Sequence, residues 1–567
     1  MKKNTLLKVV IGGSLLLLFA FLLINLPAIA QETDQGPIEV NAEMAVADAP
    51  LVEQPELFNS PPALTDAQKQ RMQWAEANTD LSPAVDTANV GEIPAPAPGT
   101  ESTVEQPIAL LNQPLAPGDA TIYSSTQFGN IIPSRSNYMD SSTDGRGLKM
   151  FYTGNFFLAN SVNKGVTWKY LSPYSGFADF CCSQISLYDS SRDVYFWLRT
   201  GTYDSNGQNV FKLSVDVNNP FNTSYWTYTF APTNANINWT NQFWDSPHMQ
   251  LGADYLYVSW NLFNQSFSWV NTVMLRLPID ALAAGVGFGF SYYAQPDWFT
   301  FIPVSGADHA MYFASNWDSS APYDSLRIWR WYESSGGLTY WTKTVPAWTT
   351  SPRGSVHCGT PNWLARADMR ILTGARYEIS SDGIAEPRQP GRKILGWWWN
   401  VAEGNGFTYP YINGAAFYED TMDLLPGYIG RPYMYGSDCF AYPSFTPNTR
   451  GDLGGVFDYA TSTAYQKPNV GFAIADDFAT APPGWIIYSA AHSNAGPSDA
   501  QWGPHNSARN YQSGATWIAG SQYIPGSSNC ANCSVPLWLA FGRERDTADF
   551  VFSCQIAGTC IPFASNP

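Results

Sequence analysis

Four short apolar stretches between Asp179 and Phe230 constrain the fold of this chain more than any other feature. They read D-F-C-C-S-Q-I-S-L-Y, then V-Y-F-W-L, then F-K-L-S-V-D-V, then S-Y-W-T-Y-T-F, with turn-forming residues between them. Four consecutive strands joined by tight turns form one antiparallel sheet, the unit of a β-propeller blade. Because the same order of parts returns downstream, we predict a ring of such sheets.

Strands of the same kinds recur along the chain, and the range over which they recur sets the predicted extent of the ring. We expect an all-β β-propeller over residues 121–546 with seven four-stranded blades, six or eight being the alternatives. Residues 121–137 are the expected source of the closing strand, and residues 547–567 form a cysteine-containing tail. The aromatic second strands are predicted at Leu148–Gly154, Asp193–Gly201, Tyr255–Phe263, Ala310–Asn316, Ile394–Ala402, Asp452–Ala460 and Thr516–Gln522.

The N-terminal region predicts export. Basic residues precede an apolar run from Val9 to Leu26, and Ala28-Ile29-Ala30 is a small-x-small cleavage site, so residues 1–30 are interpreted as a signal peptide, with an uncleaved anchor as the alternative. Residues 31–120 are acidic and rich in Pro and Ala, which predicts a disordered linker. We therefore expect a secreted or cell-envelope protein with no membrane span after cleavage.

Charge and cysteine content narrow the partners and the redox compartment. The net charge is −17, whereas nucleic-acid binding needs a basic face. The sequence therefore does not indicate a nucleic-acid partner. Eight cysteines in an exported chain predict disulfides rather than zinc ligands, with the pairing left open. We expect a monomer without a cofactor; a structural Ca²⁺ near Asp144 or Asp476-Asp477 is the alternative to solvated turns.

A local motif supports the propeller independently. Ser161-V-N-K-G-V-T-W168 is similar to the Asp-box, S-x-D-x-G-x-T-W, a hairpin turn of sialidase-like propellers. Asn163 replaces the Asp and retains the side-chain acceptor that such a turn requires. The motif indicates the fold and carries no chemistry.

Polar side chains near the start of each blade are the candidate site, because the innermost strands of a propeller line its central channel. Structural hydrogen bonding between blades is the alternative role for each one. The candidate catalytic residues are Asp245, His248, Asp308, His309 and Asp368. The candidate ligand-binding residues are Asp179, Gln184, Trp244, Arg366, Arg370, Tyr442, Arg450, Trp502, His505 and Arg509.

Several stretches resemble a group of large secreted bacterial proteins of the sialidase-like, Asp-box propeller type, over about residues 120–546. They include S-P-H-M-Q-L-G-A-D-Y-L-Y-V-S-W-N, R-A-D-M-R-I-L-T-G and F-G-R-E-R-D. The resemblance implies a fold and export rather than a reaction. Members often carry W-G-D-Y-x-x-x-R in the last blade; Trp502-G-P-H-N-S-A-R509 keeps the Trp, Gly and Arg and has His505 after the position of the Asp.

Two hypotheses about function follow. In the first, an extracellular glycan, particularly an acidic one, is bound or cleaved at the mouth of the channel, by a sialidase-like glycoside hydrolase or by a polysaccharide lyase with a His or Tyr base. The F/Y-R-I-P of true sialidases is absent, which disfavours sialic-acid hydrolysis. In the second, the propeller is non-catalytic and mediates protein interaction or adhesion.

Overall fold

The computed structural model describes most of the predicted ring. The described residues are 36–59, 103–105, 116–128, 138–140, 142–155, 157–221, 224–317, 323–355, 357–359, 363–378, 392–404, 406–425, 433–462, 464–478, 485–497, 502–511, 514–526, 534–547 and 550. The predicted signal peptide lies outside them, as does nearly all of the predicted tail. The sheets described below belong to the compact unit Glu39–Pro567.

We divide the ring strands of the described residues into seven consecutive groups, each antiparallel within itself, and name them units 1 to 7. Units 4 and 5 belong to one larger sheet, joined by a parallel pair at Val304↔Gly374. Units 1 to 3 comprise Ser142–Arg146, Lys149–Thr153, Leu158–Ser161 and Lys169–Leu171; Phe180–Asp189, Val194–Gly201, Phe211–Val217 and Tyr225–Phe230; and Gln242–Leu251, Tyr255–Asn264, Trp269–Pro278 and Phe288–Gln295. Units 4 and 5 comprise Ile302–Ser305, Ala310–Ser315, Ser325–Tyr332 and Leu338–Thr344; and Ile371–Glu378, Lys393–Val401 and Tyr411–Tyr418. Units 6 and 7 comprise Cys439–Pro447, Leu453–Ala460, Asn469–Ala475 and Ile486–Ala491; and Ser507–Tyr511, Thr516–Tyr523, Val535–Arg543 and Ala120–Gln127.

The units close into a ring. The first strand of each unit contacts the first strand of the next, and that of unit 7 contacts that of unit 1. Ala120–Gln127 is the outermost strand of unit 7, pairing with Val535–Arg543 at Leu539↔Ser125, so the prediction that residues 121–137 supply a closing strand is confirmed for the part that the structure describes. The predicted all-β propeller is confirmed, and the blade number stays a prediction that these seven units match.

Aromatic side chains fill the spaces between the sheets because successive residues of a strand point to opposite faces. Trp397 and Trp399 lie in one buried cluster, whereas Trp398 lies in another, 5.1 Å from Phe445 between ring centroids. The predicted second strands are confirmed to within one or two residues at each end. Continuous runs of large apolar residues, which fill both faces of a strand, therefore located these strands in the sequence.

The Asp-box-like segment forms the predicted turn between the third and fourth strands of unit 1. The Ser161 hydroxyl accepts the Gly165 N–H at 2.9 Å, and Asn163 Oδ1 accepts the Thr167 N–H at 2.8 Å. Gly165 has φ +78°, a conformation that glycine adopts without steric cost. Asn163 thus supplies the acceptor of the missing Asp.

Short segments of residues 31–120 depart from the predicted linker and are corrected here as strands. Leu57–Phe58, Leu51–Glu53 and Glu43–Ala47 add a fifth, antiparallel strand to units 1, 2 and 3 respectively, and Thr103–Glu105 pairs in parallel with unit 6. We name residues 43–58 the strap. An edge strand offers unpaired backbone N–H and C=O groups, so an exposed segment can pair there through its backbone without burying its side chains.

The structure contains disulfide bonds, which the cysteine content predicts. Cys358 and Cys439 form a disulfide with Cα atoms 6.1 Å apart, which ties the segment before unit 5 to the first strand of unit 6. Cys181 is also disulfide-bonded. Cys530, Cys533, Cys554 and Cys560 lie outside the described residues.

Helix is sparse, as the sequence predicts. Within the described residues the helices are Pro232–Ala235 and Ile279–Ala284, with 3₁₀ turns at Pro352–Gly354 and Glu544–Asp546. Ile279–Ala284 ends at Gly285, which has φ +66°. None of the described helices has the length and apolar character needed to cross a membrane.

Ion pairs join the end of unit 7 to unit 6. The guanidinium of Arg543 bonds both carboxylate oxygens of buried Asp476, at 2.9 and 2.8 Å, and Arg545 lies 2.6 Å from Asp477. Bidentate Arg–carboxylate pairs are the strong, geometrically specific kind. Asp476 and Asp477, sequence candidates for Ca²⁺ ligands, are thus partners of arginine in this structure.

We expect the strap to be held partly by Glu53. Its carboxylate lies 3.7 Å from the fully buried Arg199 of unit 2 and 3.8 Å from Lys212. Glu53→Gln retains an acceptor for the Tyr225 hydroxyl but leaves the buried guanidinium without its countercharge, which should lower the free energy of unfolding by about 2 kcal/mol. Denaturant unfolding measures this.

The matched control is Glu56→Gln, since Glu56 is exposed on the same segment and should change stability little. Equal unfolding midpoints for Glu53→Gln and the unaltered protein would contradict a stabilising role for the strap.

Candidate functional site

All seven units line one cavity along the axis of the ring. Its volume is about 70 Å³, enough for a few water molecules and too small to enclose a sugar ring. The lining residues are Ser142; Gln184 and Ile185; residues 247–250; Ile302 and Pro303; residues 372–374; Ser444; and residues 505–507 with Arg509. A larger ligand must therefore contact the channel from its mouth.

β-Bulges shape the beginning of several first strands. The pairing register shifts between Asp245 and His248 in unit 3 and between Ala441 and Ser444 in unit 6. Ser246 has φ +51° within the first of these bulges. In a regular strand, Asp245 and His248 would point to opposite faces because they are three residues apart. The bulge between them changes the direction of the side chains that follow it, and His248 faces the cavity.

Two imidazoles meet at the cavity from non-adjacent parts of the ring. His248 of unit 3 and His505, just before unit 7, have ring centroids 5.6 Å apart at an interplanar angle of 85°. Burial lowers the pKa of His505 to about 4 and places the pKa of His248 well below its usual value. Both rings are therefore neutral at pH 7, and each offers one N–H donor and one nitrogen acceptor.

A guanidinium lies beside these imidazoles. Arg370 bonds the carboxylate of Asp368 through Nε, and its backbone N–H donates to the same side chain at 3.0 Å. Burial is the largest cause of the low pKa values of His248 and His505, and the positive charge of Arg370 lowers both further. It also opposes the rise that burial causes in the pKa of Asp245.

We name Asp245, His248, Arg370 and His505 the channel mouth. These four sequence-predicted residues come from units 3, 5 and 7. His248 and His505 line the cavity, and the charge of Arg370 acts on the pKa values of both and of Asp245. Asp368, predicted as catalytic, is buried between Arg370 and Arg353. Its carboxylate contacts both guanidinium groups and fixes the position of Arg370.

Tyr442 and Trp502, predicted as ligand contacts, are buried supports of the mouth. Trp502 donates its indole N–H to Asp458 at 2.8 Å, and the Tyr442 hydroxyl lies 3.3 Å from the Trp502 carbonyl. Tyr442 has φ +56°, a strained conformation for an aromatic residue. Arg366 lies close enough for its charge to act on the pKa of Tyr442.

The sequence analysis missed Asp458. This carboxylate is buried in the second strand of unit 6 and accepts hydrogen bonds from Trp502 and, at 3.1 Å, from Asn506. Burial raises its pKa to about 7. The sequence does contain a signal for this residue, because an Asp inside the aromatic strand G-G-V-F-D-Y-A is a charged side chain on an otherwise apolar segment.

Three predicted site residues lie at the opposite end of the first strands, away from the channel mouth. Asp308 and His309 follow Ile302–Ser305 in the turn to the second strand of unit 4, and Arg450 follows Cys439–Pro447 in unit 6. Arg450 forms a bidentate pair with Asp546 at 2.7 and 2.9 Å. These residues fall after a first strand in the sequence, whereas those of the channel mouth lie at or before its beginning.

Asp308, His309 and Glu419 bring potential metal-ligand atoms within 4.8 Å of one another. Arg376 already lies between the carboxylates, 2.9 Å from Asp308 and 2.8 Å from Glu419. Its guanidinium supplies the positive charge that a cation would bring. We interpret the group as an ion-pair network.

The remaining predicted ligand contacts have structural surroundings. Gln184 donates to the Gly154 carbonyl at 2.6 Å and accepts from the Trp197 indole at 2.8 Å. Trp244 is buried beside Trp260, 5.9 Å between centroids, away from the channel. Asp179 is exposed before unit 2, where its backbone carbonyl accepts the Thr202 N–H at 2.8 Å.

Comparison with known proteins gives fold-level likenesses. No family model and no curated protein matches the chain. Similar solved structures include an α-L-arabinofuranosidase from Fusarium graminearum in complex with an iminosugar inhibitor, 10% identical over 72% of this chain and 93% of that chain, with a TM-score of 0.32. Trypanosoma rangeli sialidase in complex with sialic acid is 10% identical over 62% of this chain and 58% of that chain, with a TM-score of 0.33.

An exo-1,5-α-L-arabinanase from a bovine ruminal metagenomic library is 9% identical over 71% of this chain and 92% of that chain, with a TM-score of 0.28. Since all these TM-scores are below 0.5, the propeller assignment rests on the strand pairing and ring closure described above. Those observations define the class of the protein: an all-β propeller with a polar central channel.

The neutral state of His505 has a consequence for acid stability. Its pKa is lowered to about 4 in the folded protein, against about 6.5 in an unfolded chain. Unfolded chains therefore bind more protons between these values, and stability falls as the pH drops from 6.5 to 4. His505→Gln should remove roughly 3 kcal/mol of this acid-induced loss.

The control is His357→Gln, because the side chain of His357 is 46% exposed and lies outside the mouth. Denaturant unfolding at several pH values from 4 to 7 gives the slope for each protein. If His505→Gln kept the slope of the unaltered protein, the imidazole would not be buried and neutral as described.

Proposed function

We propose that this protein is an exported propeller that binds an extracellular glycan with acidic sugars at the channel mouth. The observation that supports the proposal most is the convergence of Arg370 with two neutral imidazoles, His248 and His505, at one polar opening. A sugar offers hydroxyl groups that both donate and accept, which suits a neutral imidazole. A guanidinium complements a carboxylate or sulfate on the sugar.

The charge distribution agrees with this ligand class. The chain as a whole carries −17, so a polyanion would be repelled by most of its surface. At the mouth, Arg370 lies near Arg353 through their shared contact with Asp368. These two guanidinium groups, which share one carboxylate, are the positive charges that an acidic glycan would contact at this face.

Cleavage of the glycan is the second candidate. A neutral imidazole is able to accept a proton, and Asp245 has a pKa raised by burial, so the mouth contains a base and a group able to hold a proton. A lyase uses a His base and a cation that neutralises the uronate, and Arg370 would supply that cation. Binding without turnover at the same residues is the alternative that the experiment separates.

Retention of the purified full-length protein on immobilised polysaccharides tests the proposal. Polyuronates, sulfated glycans and neutral glycans form the panel, and released reducing ends and ultraviolet absorbance of unsaturated products report cleavage. We expect selective retention on an acidic glycan. His248→Ala and Arg370→Ala should each weaken it at least about tenfold, or roughly 1.4 kcal/mol.

The matched control is His309→Ala, which removes an imidazole from the opposite end of the first strands. It should leave retention unchanged. Retention that survives both mouth substitutions would show that the glycan binds elsewhere, and so would a loss of retention in His309→Ala alone. Absence of retention across the whole panel would contradict glycan binding and favour a protein partner.

A further inference from the structure

The cavity extends inward from the mouth along the strand that begins unit 7. His505, Ser507 and Arg509 alternate along this segment and all line the cavity, spanning about 13 Å of extended chain. Ser142 and Gln184 line it from units 1 and 2. We name Ser142, Gln184, Ser507 and Arg509 the throat.

Arg509 has hydrogen-bonding capacity that its neighbours do not use. Its Nη1 donates to the Ala508 carbonyl at 3.2 Å, and its buried Nε has no partner. Among the described residues it forms no ion pair within 4 Å. A guanidinium has five N–H donors, and burying such a group without partners is costly, so the throat is suited to an acceptor with negative charge.

Asp144 is the carboxylate whose charge acts on Arg509. Their two strands are joined at this point, because the N–H of Thr143, next to Asp144, donates to the hydroxyl of Ser507 at 2.9 Å. This carboxylate is buried in the first strand of unit 1 and accepts the backbone N–H groups of Gly145 at 2.7 Å and Tyr188 at 2.9 Å. Burial raises its pKa to about 7, and the charge of Arg509 opposes that rise. The phenol of Tyr195 is the other titratable group coupled to it, and its pKa is itself raised, so it stays neutral.

We propose that Arg509 binds one small oxyanion, a carboxylate or sulfate group, in the throat, and that Asp144 takes up a proton from solvent when the anion binds. The anion and Asp144 would otherwise be two negative charges sharing one guanidinium. Protonation of Asp144 leaves Arg509 and the anion as a balanced pair. The cavity of about 70 Å³ accommodates such a group in place of water.

The oxyanion has two potential sources. It is either a free inorganic anion or the charged substituent of a glycan whose sugar ring lies at the mouth; the second source rests on the proposed function. Both require the same guanidinium and the same proton uptake. The experiment therefore uses sulfate alone first and a glycan second.

Calorimetric titration of the full-length protein with sodium sulfate at pH 6 and pH 8 tests the site. With a pKa of about 7, Asp144 is about nine-tenths protonated at pH 6 and one-tenth at pH 8, so binding should be about tenfold tighter at pH 6. His248 and His505 are neutral across this range and sulfate does not titrate in it. Arg509→Gln should abolish binding, and Asp144→Asn should bind equally at both pH values.

Asp216→Asn is the matched control. Asp216 is buried in unit 2 with a pKa also raised to about 7, but its charge does not act on Arg509 as that of Asp144 does, so the tenfold difference should persist in this variant. Sulfate affinity that is unchanged by Arg509→Gln would overturn the site. Equal affinity at pH 6 and pH 8 in the unaltered protein would overturn the role of Asp144, even if Asp144→Asn did not fold.

The glycan arm distinguishes the two sources. If Arg509→Gln abolishes both sulfate binding and retention on an acidic glycan, the glycan supplies the anion. If it abolishes sulfate binding alone, the throat binds a free anion and the proposed function stands separately. Sulfate binding that persists in His248→Ala, which loses glycan retention, would support a throat site distinct from the mouth.

Discussion

The pairing of Ala120–Gln127 with Val535–Arg543 is the interaction on which the remaining structure depends. It joins residues more than four hundred positions apart and makes the last sheet complete with a strand from the beginning of the ring. Without that closure, the first strands of units 7 and 1 would not be held side by side. The channel exists only where those strands meet.

Ion pairs reinforce the closure where the sheet ends. Arg543 bonds buried Asp476 of unit 6, and Arg450 bonds Asp546, so the end of unit 7 is fixed to its neighbour as well as to the closing strand. Buried bidentate pairs of this kind specify geometry through their fixed fork shape. The mouth is held by the same neighbourhood, because Trp502 and Asn506, on either side of His505 in the chain, both donate hydrogen bonds to Asp458 of unit 6.

Much of the fold could be predicted from the sequence, and the reason is physical. Strands such as Tyr255–Asn264 and Lys393–Val401 carry large apolar residues on both faces, which only buried sheet positions accommodate. The strap could not be predicted, since Glu43–Ala47 pairs through its backbone at a sheet edge and leaves Met44 and Val46 exposed. Its composition is that of a linker.

The site was only partly predictable. The structure brings His248, His505, Arg370 and Asp245 near one another because residues at the beginning of first strands converge. It places Asp308, His309 and Arg450 at the far end of the first strands, where polar residues also cluster in the turns and the sequence alone does not tell the two ends apart. Bulges such as that at Ser246 further decide which side chain faces the channel.

A structure of the protein bound to an oligosaccharide of the glycan that it retains is the most direct test of the central claim. The account predicts the sugar at the channel mouth, within hydrogen-bond distance of His248, His505 and Arg370. A sugar bound instead at the Asp308–His309 end, or on the outer strap, would contradict it.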